Sequence, residues 1–185
     1  ATGAPPWRRA LPDAAASARA LLFCGVTAAL VAAGDRDEDA LDREGAAGAT
    51  LAPHLFRAGP GLTAPGGHPI PFIRALVPWP ISSLAAWMQP TAATPEEARA
   101  AVRRIRQRHG PPLFKIFYDD IPPGAPRLSR EALGAAITEA RAQGMRPVVH
   151  IGAAADMVAA AELGASLLMH PPSRDTLSEA QIARL

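Results

Sequence analysis

The stretch AQGMRPVVHIGAAADMVAAAELGASLLMH, Ala142 to His170, holds two short apolar runs on either side of an alanine-rich segment. Arg146–Ile151 (RPVVHI) and Ser166–His170 (SLLMH) have strand length and read as strands. Between them Ala153–Leu163 has helical length and composition, and Gly164 stops it. Strand, helix, strand with short junctions is the βαβ unit of a parallel sheet. Strands this continuously apolar belong to a sheet covered on both faces.

The same alternation extends upstream. Ser129–Gln143 reads as a helix stopped by Gly144, and Leu113–Tyr118 (LFKIFY) as a strand. Thr94-Pro95-Glu96-Glu97 is a capping box with proline at the first helical position, opening a helix to about His109. Residues 59–93 are rich in Pro and Gly and read as a long irregular excursion, of the kind usually found over a site. Before it come a strand at His54–Ala58, a short helix at Asp37–Ala47, a buried strand at Val26–Ala33 ending at Gly34, and a helix from Asp13 to Cys24 with Gly25 as its stop. Downstream, Ser178 and Gln181 cap a last helix. The fold class is therefore α/β. With five strands counted against the eight of a complete barrel of about 250 residues, the chain reads as a segment of a (β/α)8 TIM barrel of about five βα units. A doubly wound sheet gives the same order, but no glycine-rich phosphate loop joins a strand to a helix here.

Composition narrows the function classes. The 185 residues carry a net charge of +2, one cysteine and 49% hydrophobic residues. That excludes wholesale disorder and an internal disulfide framework. The basic run Arg103 to His109 complements the C-terminal end of its own helix and lacks interleaved aromatics, so nucleic-acid binding is not expected. The apolar run Ala20–Ala33, preceded by Arg8 and Arg9, is too short to span a bilayer. Phe23 is too large for a lipoprotein cleavage site at Cys24. No membrane partner is expected, and a cytoplasmic, bacterial-type setting is. Because the chain begins with Ala rather than Met, its N-terminus is expected to lie upstream.

Of nineteen basic residues, all but Lys115 are arginine. Lys115 sits inside an apolar strand, where a cation is costly and the pKa should fall. An arginine there would stay protonated. A neutral lysine amine can react with carbon dioxide to give a carbamate, an anionic oxygen ligand able to bridge two metal ions. The bland alternative is a snorkelling lysine, but arginine snorkels equally well and fills every other basic position. His150 and His170 stand near the carboxyl ends of the next two strands, the face where parallel α/β proteins bind ligands. A lone strand-end histidine is more often a hydrogen-bonded core residue. Two of them beside a buried lysine point to metal ligation.

In CGVTAALVAAGD (Cys24–Asp35), AGPGLTAPGGH (Ala58–His68), LFKIFYDD (Leu113–Asp120) and the Ala142–His170 stretch, the chain resembles the amidohydrolase superfamily. The resemblance is to its imidazolonepropionase-like and Xaa-Pro-dipeptidase-like branch of metal-dependent hydrolases, and it covers nearly the whole chain. It implies that residues 1–185 are part of a (β/α)8 catalytic domain with a loop excursion at 59–93. It also implies hydrolysis of an amide-type C–N bond in a dipeptide, N-acyl amino acid or cyclic amide, through a metal-activated water. One or two divalent ions, zinc by resemblance, would be held by Lys115, His150 and His170. Tyr118 and His68 would face substrate, His68 with a structural role as the alternative. Asp119 and Asp120 would cap a loop or contact metal or substrate. The partner is a small-molecule amide, and a homo-oligomer is left open.

Several family features are missing. No His-x-His pair precedes the first helix, and no strand-eight Asp general base follows. Gly152 stands where a second histidine is common, and Pro171-Pro172 where glycine is. The catalytic base is therefore expected outside this chain, which alone would be inactive. The competing reading is a non-catalytic or degenerate α/β domain that has lost its metal site.

Overall fold

The computed structural model describes residues 13–32 and 36–185. They fall into two compact units, one ending at Arg57 and the other beginning at Ala58.

In the first unit, α1 (Ala14–Phe23) starts where Asp13 Oδ1 accepts the Ala16 N–H at 2.9 Å. It unwinds at Gly25, which takes φ 81°. β1 (Ala28–Val31) and β2 (His54–Arg57) pair in parallel, Ala28 opposite His54, with α2 (Arg36–Ala46) as their crossover. Ala18, Leu41 and Leu55 form the small core of this unit. β1 is shorter than the apolar run Val26–Ala33 and only half-covered, Ala28 being exposed. Apolar composition had suggested full burial; β1 pairs along one edge and the cluster beneath it is small. The predicted strand end at Ala33–Gly34 lies outside the described residues, as do Arg8 and Arg9.

The second unit is built on β3 (Leu113–Tyr118), β4 (Arg146–Ile151) and β5 (Leu167–Met169), all parallel and in that spatial order. Leu62 extends this sheet beyond β3: its N–H donates to Lys115 O at 2.9 Å and its carbonyl accepts from Phe117 N–H at 2.8 Å. Helices α5 (Pro95–His109), α6 (Arg130–Ala142) and α7 (Ala154–Glu162) alternate with the strands, and α8 (Glu179–Ile182) closes the chain. The starts of α5, α6 and α8 are the ones the capping residues predict. Thr94 Oγ1 accepts the Glu97 N–H, Ser129 Oγ accepts the Ala132 N–H, and Ser178 with Gln181 forms a reciprocal capping box.

The excursion at 59–93 is more regular than its composition suggests. It contains α3 (Ile70–Leu76) and α4 (Ile81–Met88), packed on each other. Most of its prolines sit before these helices or in their first turn, where no backbone donor is required. Proline density therefore marks helix starts here and not irregular chain.

Strand parity divides the sheet chemically. Phe114, Ile116 and Tyr118 of β3 and Val149 and Ile151 of β4 join the core formed with α5, α6 and α7. Lys115 and Phe117 of β3, and Val148 and His150 of β4, lie on the opposite face. Among the described residues no helix is long and apolar enough to cross a membrane.

Candidate metal centre

The face away from the helices carries the polar chemistry. Phe117 stands opposite His150 in the β3–β4 register, and His150 opposite Met169 in the β4–β5 register. Continuing the β3 parity beyond the strand end, Asp119 follows Lys115 and Phe117 on the same face. Its side chain has no exposed surface, while those of His68 and His150 are 15% exposed.

His68 arrives from the excursion rather than from a strand. Its Nδ1 lies 2.9 Å from Asp119 Oδ1 and 3.1 Å from Oδ2. The close-packed Gly66-Gly67 turn sets its position. A Cβ on Gly67 would stand 2.5 Å from Pro126 O and 2.7 Å from Thr63 Oγ1, so no side chain fits there. A Cβ on Gly61 would lie 2.4 Å from the Phe117 ring. The two glycines thus let the excursion settle directly on the end of β3. Asp119 Oδ1 also accepts the Ile121 N–H at 3.0 Å, which orients the carboxylate. His150 Nε2 lies 3.7 Å from Asp119 Oδ2. Phe117 and Phe72 flank the His68 ring at centroid distances of 5.0 and 5.4 Å.

Burial dominates the electrostatics. It pushes the His150 imidazole down to about 4, with the Lys115 charge acting in the same direction and Asp119 opposing. His150 is therefore neutral at pH 7, as a ligand nitrogen must be. Burial likewise lowers Lys115 to about 8, against the opposing pull of Asp119. Its Nζ lies 2.8 Å from Met169 Sδ and 5.0 Å from the Phe117 ring centroid. At pH 7 roughly a tenth of such an amine is uncharged and nucleophilic.

Among the described residues, His68, Asp119 and His150 each offer one ligand atom, all within 4.8 Å of one another. Two imidazoles and a carboxylate suit a first-row divalent ion. The sequence-derived site residues are distributed around this group. His150 belongs to it, and so does His68, placed by sequence at the substrate. Lys115 is beside it, on the same sheet face. His170 follows β5 with φ 69°, is exposed, and stacks edge-on against His150 at 4.5 Å between ring centroids. Tyr118 faces the other way. Its ring is buried in the helix-side core under the Arg127 guanidinium at 5.3 Å, because it is one residue off the parity of Lys115. Asp119 was open to several readings in the sequence. The alternation Lys115, Phe117, Asp119 is the signal that places it at the site.

No protein-family model matches the chain, and no curated protein sequence does. Comparison with solved structures is decisive for the architecture. The chain has the amidohydrolase fold. A protein described as an amidohydrolase superposes with a TM-score of 0.68 at 24% identity, over 88% of this chain and 43% of its own. A Xaa-Pro dipeptidase with methionine bound in its active site gives 0.70 at 23%, over 91% and 42%. Ochratoxinase of A. niger gives 0.71 at 24%, over 92% and 41%. The chain spans about two fifths of the length of the solved structures it matches. In the amidohydrolase fold of this chain, His150 and Asp119 occupy strand ends, where α/β proteins build their sites.

Proposed function

We propose that this chain is part of a (β/α)8 metal-dependent hydrolase that cleaves amide-type C–N bonds in a small molecule such as a dipeptide, N-acyl amino acid or cyclic amide. The observation that carries this reading is the convergence of His68, Asp119 and His150 beside the buried Lys115, within a fold whose solved examples include a dipeptidase. The residues fit a metal: a buried carboxylate, a neutral imidazole and a depressed amine lie on one face of one sheet. The resemblance names Lys115 as a carbamate, with His150 and His170, as ligands. When bound there, a divalent ion, zinc by that resemblance, would supply a water of near-neutral pKa and polarisation of the substrate carbonyl.

The chain's own residues prepare that chemistry. Burial keeps the His150 lone pair free of a proton down to about pH 4. Asp119 holds the His68 ring at Nδ1 and so fixes its orientation. Phe117 and Phe72 line the His68 ring with apolar surface. The Lys115 amine, when uncharged, is free to take up carbon dioxide and become an oxygen donor.

The test is hydrolysis of dipeptides, N-acyl amino acids and hydantoin-like rings by the protein that carries this chain, metal-loaded and chelator-treated. Chelator-reversible cleavage that is lost in His150→Ala is the expected result. No cleavage of any of these substrates by protein shown to contain metal overturns the hydrolase reading and favours a non-catalytic domain.

A further inference from the structure

Leaving β5, the backbone adopts a conformation that the local sequence disfavours. His170 takes φ 69°, and among the described residues no other non-glycine residue has a positive φ. Histidine enters the left-handed region more readily than most residues. Here, however, Pro171 follows, and the proline ring drives the residue before it toward extended backbone. A conformation opposed in this way persists only where its surroundings over-determine it.

Those surroundings are engaged by residues 173–175. The Ser173 N–H donates to Gly152 O at 3.0 Å, and Ser173 Oγ donates to the same carbonyl at 3.3 Å. That carbonyl is firmly placed, because Gly152 packs against Asp119, where an added Cβ would lie 3.3 Å from the Asp119 Cβ. Arg174 engages Asp120 twice, Nη1 with Oδ1 at 2.6 Å and Nη2 with the backbone carbonyl at 3.0 Å. Asp175 Oδ1 accepts the Ala154 N–H at 2.7 Å. Three consecutive residues are thus tied to three segments: the end of β4, the chain after β3 and the start of α7.

A purely structural reading accounts for Asp175, since Ala153 offers α7 no side-chain cap of its own. It does not account for Arg174, whose bonds add nothing to α7 and reach 54 residues back along the chain. A forked guanidinium suits two acceptors in fixed geometry, which an ammonium does not. Nor does it account for His170 itself. The residue is exposed, yet its ring lies 4.5 Å from that of His150 between centroids. An exposed side chain has little burial to hold it, so this placement depends on the backbone that carries it.

We infer that Arg174 is a positioning residue: clasped to Asp120, it closes the turn at 171–175 and holds the His170 ring against His150. Asp120, open in the sequence to a capping, metal or substrate role, is the acceptor of this clasp. Its consequence for catalysis rests on the hydrolase reading above, in which His150 and His170 act together. The clasp itself is tested without turnover.

The chain has five histidines, so NMR of the metal-free full chain with ring-labelled histidine resolves their imidazole signals. The parent should show a nuclear Overhauser peak between the His150 and His170 rings. The disfavoured backbone and the lost charge-assisted bonds are of similar size, so Arg174→Ala divides the turn between closed and open forms. The peak should then fall to about half or less, with circular dichroism unchanged. Asp120→Ala should do the same. Asp120→Arg combined with Arg174→Asp should give a stronger peak than either of its component single substitutions. Arg130→Ala, which removes a pair with Glu162 on the helix side, should leave the peak at parental strength. Absence of the peak in the parent overturns the inference, as does a full-strength peak in folded Arg174→Ala. An equal loss in Arg130→Ala, or a combined variant no stronger than its single substitutions, overturns it too. None of these results touches the hydrolase reading, which stands or falls on cleavage.

Discussion

Lys115→Met should make the metal-free chain more stable at neutral pH, although it deletes the only lysine. The lysine is 2% exposed and its amine is held at about 8 instead of 10.5, because burial penalises the charged form more than Asp119 rewards it. At about 1.36 kcal/mol per pH unit, that gap corresponds to a penalty of about 3 kcal/mol when the amine is charged. Methionine has a similar length and carries no charge, so it removes the penalty. Loss of the Nζ–Sδ contact to Met169 returns part of the gain, leaving about 2 kcal/mol. The pH dependence identifies the cause. Between about 8 and 10.5 the unfolded chain binds more protons than the folded one, so parent stability rises with pH across that window. The advantage of Lys115→Met is therefore full below about pH 8 and fades by 10.5. Equilibrium urea unfolding at pH 7, 9 and 10.5 measures it, in bicarbonate-free buffer so that the amine stays unmodified. A variant less stable than the parent at pH 7, or a difference that does not change with pH, would refute the burial argument.

His150 gives the same sign at lower pH. Its folded value near 4 lies below the ordinary 6.5, so stability of the metal-free chain should fall by about 3 kcal/mol as pH drops from 6.5 to 4 and level off below that. His150→Phe should flatten this part of the urea-derived profile, and an unchanged slope counts against the assignment. Gly67→Ala should cost about 2 kcal/mol or more, because its Cβ would lie 2.5 Å from a backbone carbonyl that cannot swing aside. For a chain of this size that is a Tm loss of roughly 4–8 °C by calorimetry. A Tm within 1 °C of the parent, on the scale of about a quarter of a kcal/mol, would show that the excursion yields freely.

Much of this was legible in the sequence because it depends on neighbours in the chain. Capping residues and stop glycines place α1, α5, α6 and α7 within a residue or two, and short apolar runs mark all five strands. Even the facing of Lys115 and Asp119 follows from alternation along one extended segment, and the same rule turns Tyr118 toward the helices. Proline misleads in the excursion, since the same residue interrupts a helix or opens one according to its position in the turn.

The site is a different kind of fact. Nothing local in Gly66-Gly67-His68 announces that its imidazole will meet a carboxylate 51 residues later. That meeting requires Leu62 to join the sheet beside β3, and it requires Gly61 and Gly67 to admit the Phe117 ring and the Pro126 carbonyl where any side chain would collide. The sequence by itself determined the elements outside the 59–93 excursion, their order and the burial of one lysine, since hydrophobic periodicity and helix capping act over a few residues. The tertiary structure decided that His68 and Asp119 join His150 in one group of possible ligand atoms. That choice is made by close packing between distant segments, which no single stretch of sequence contains.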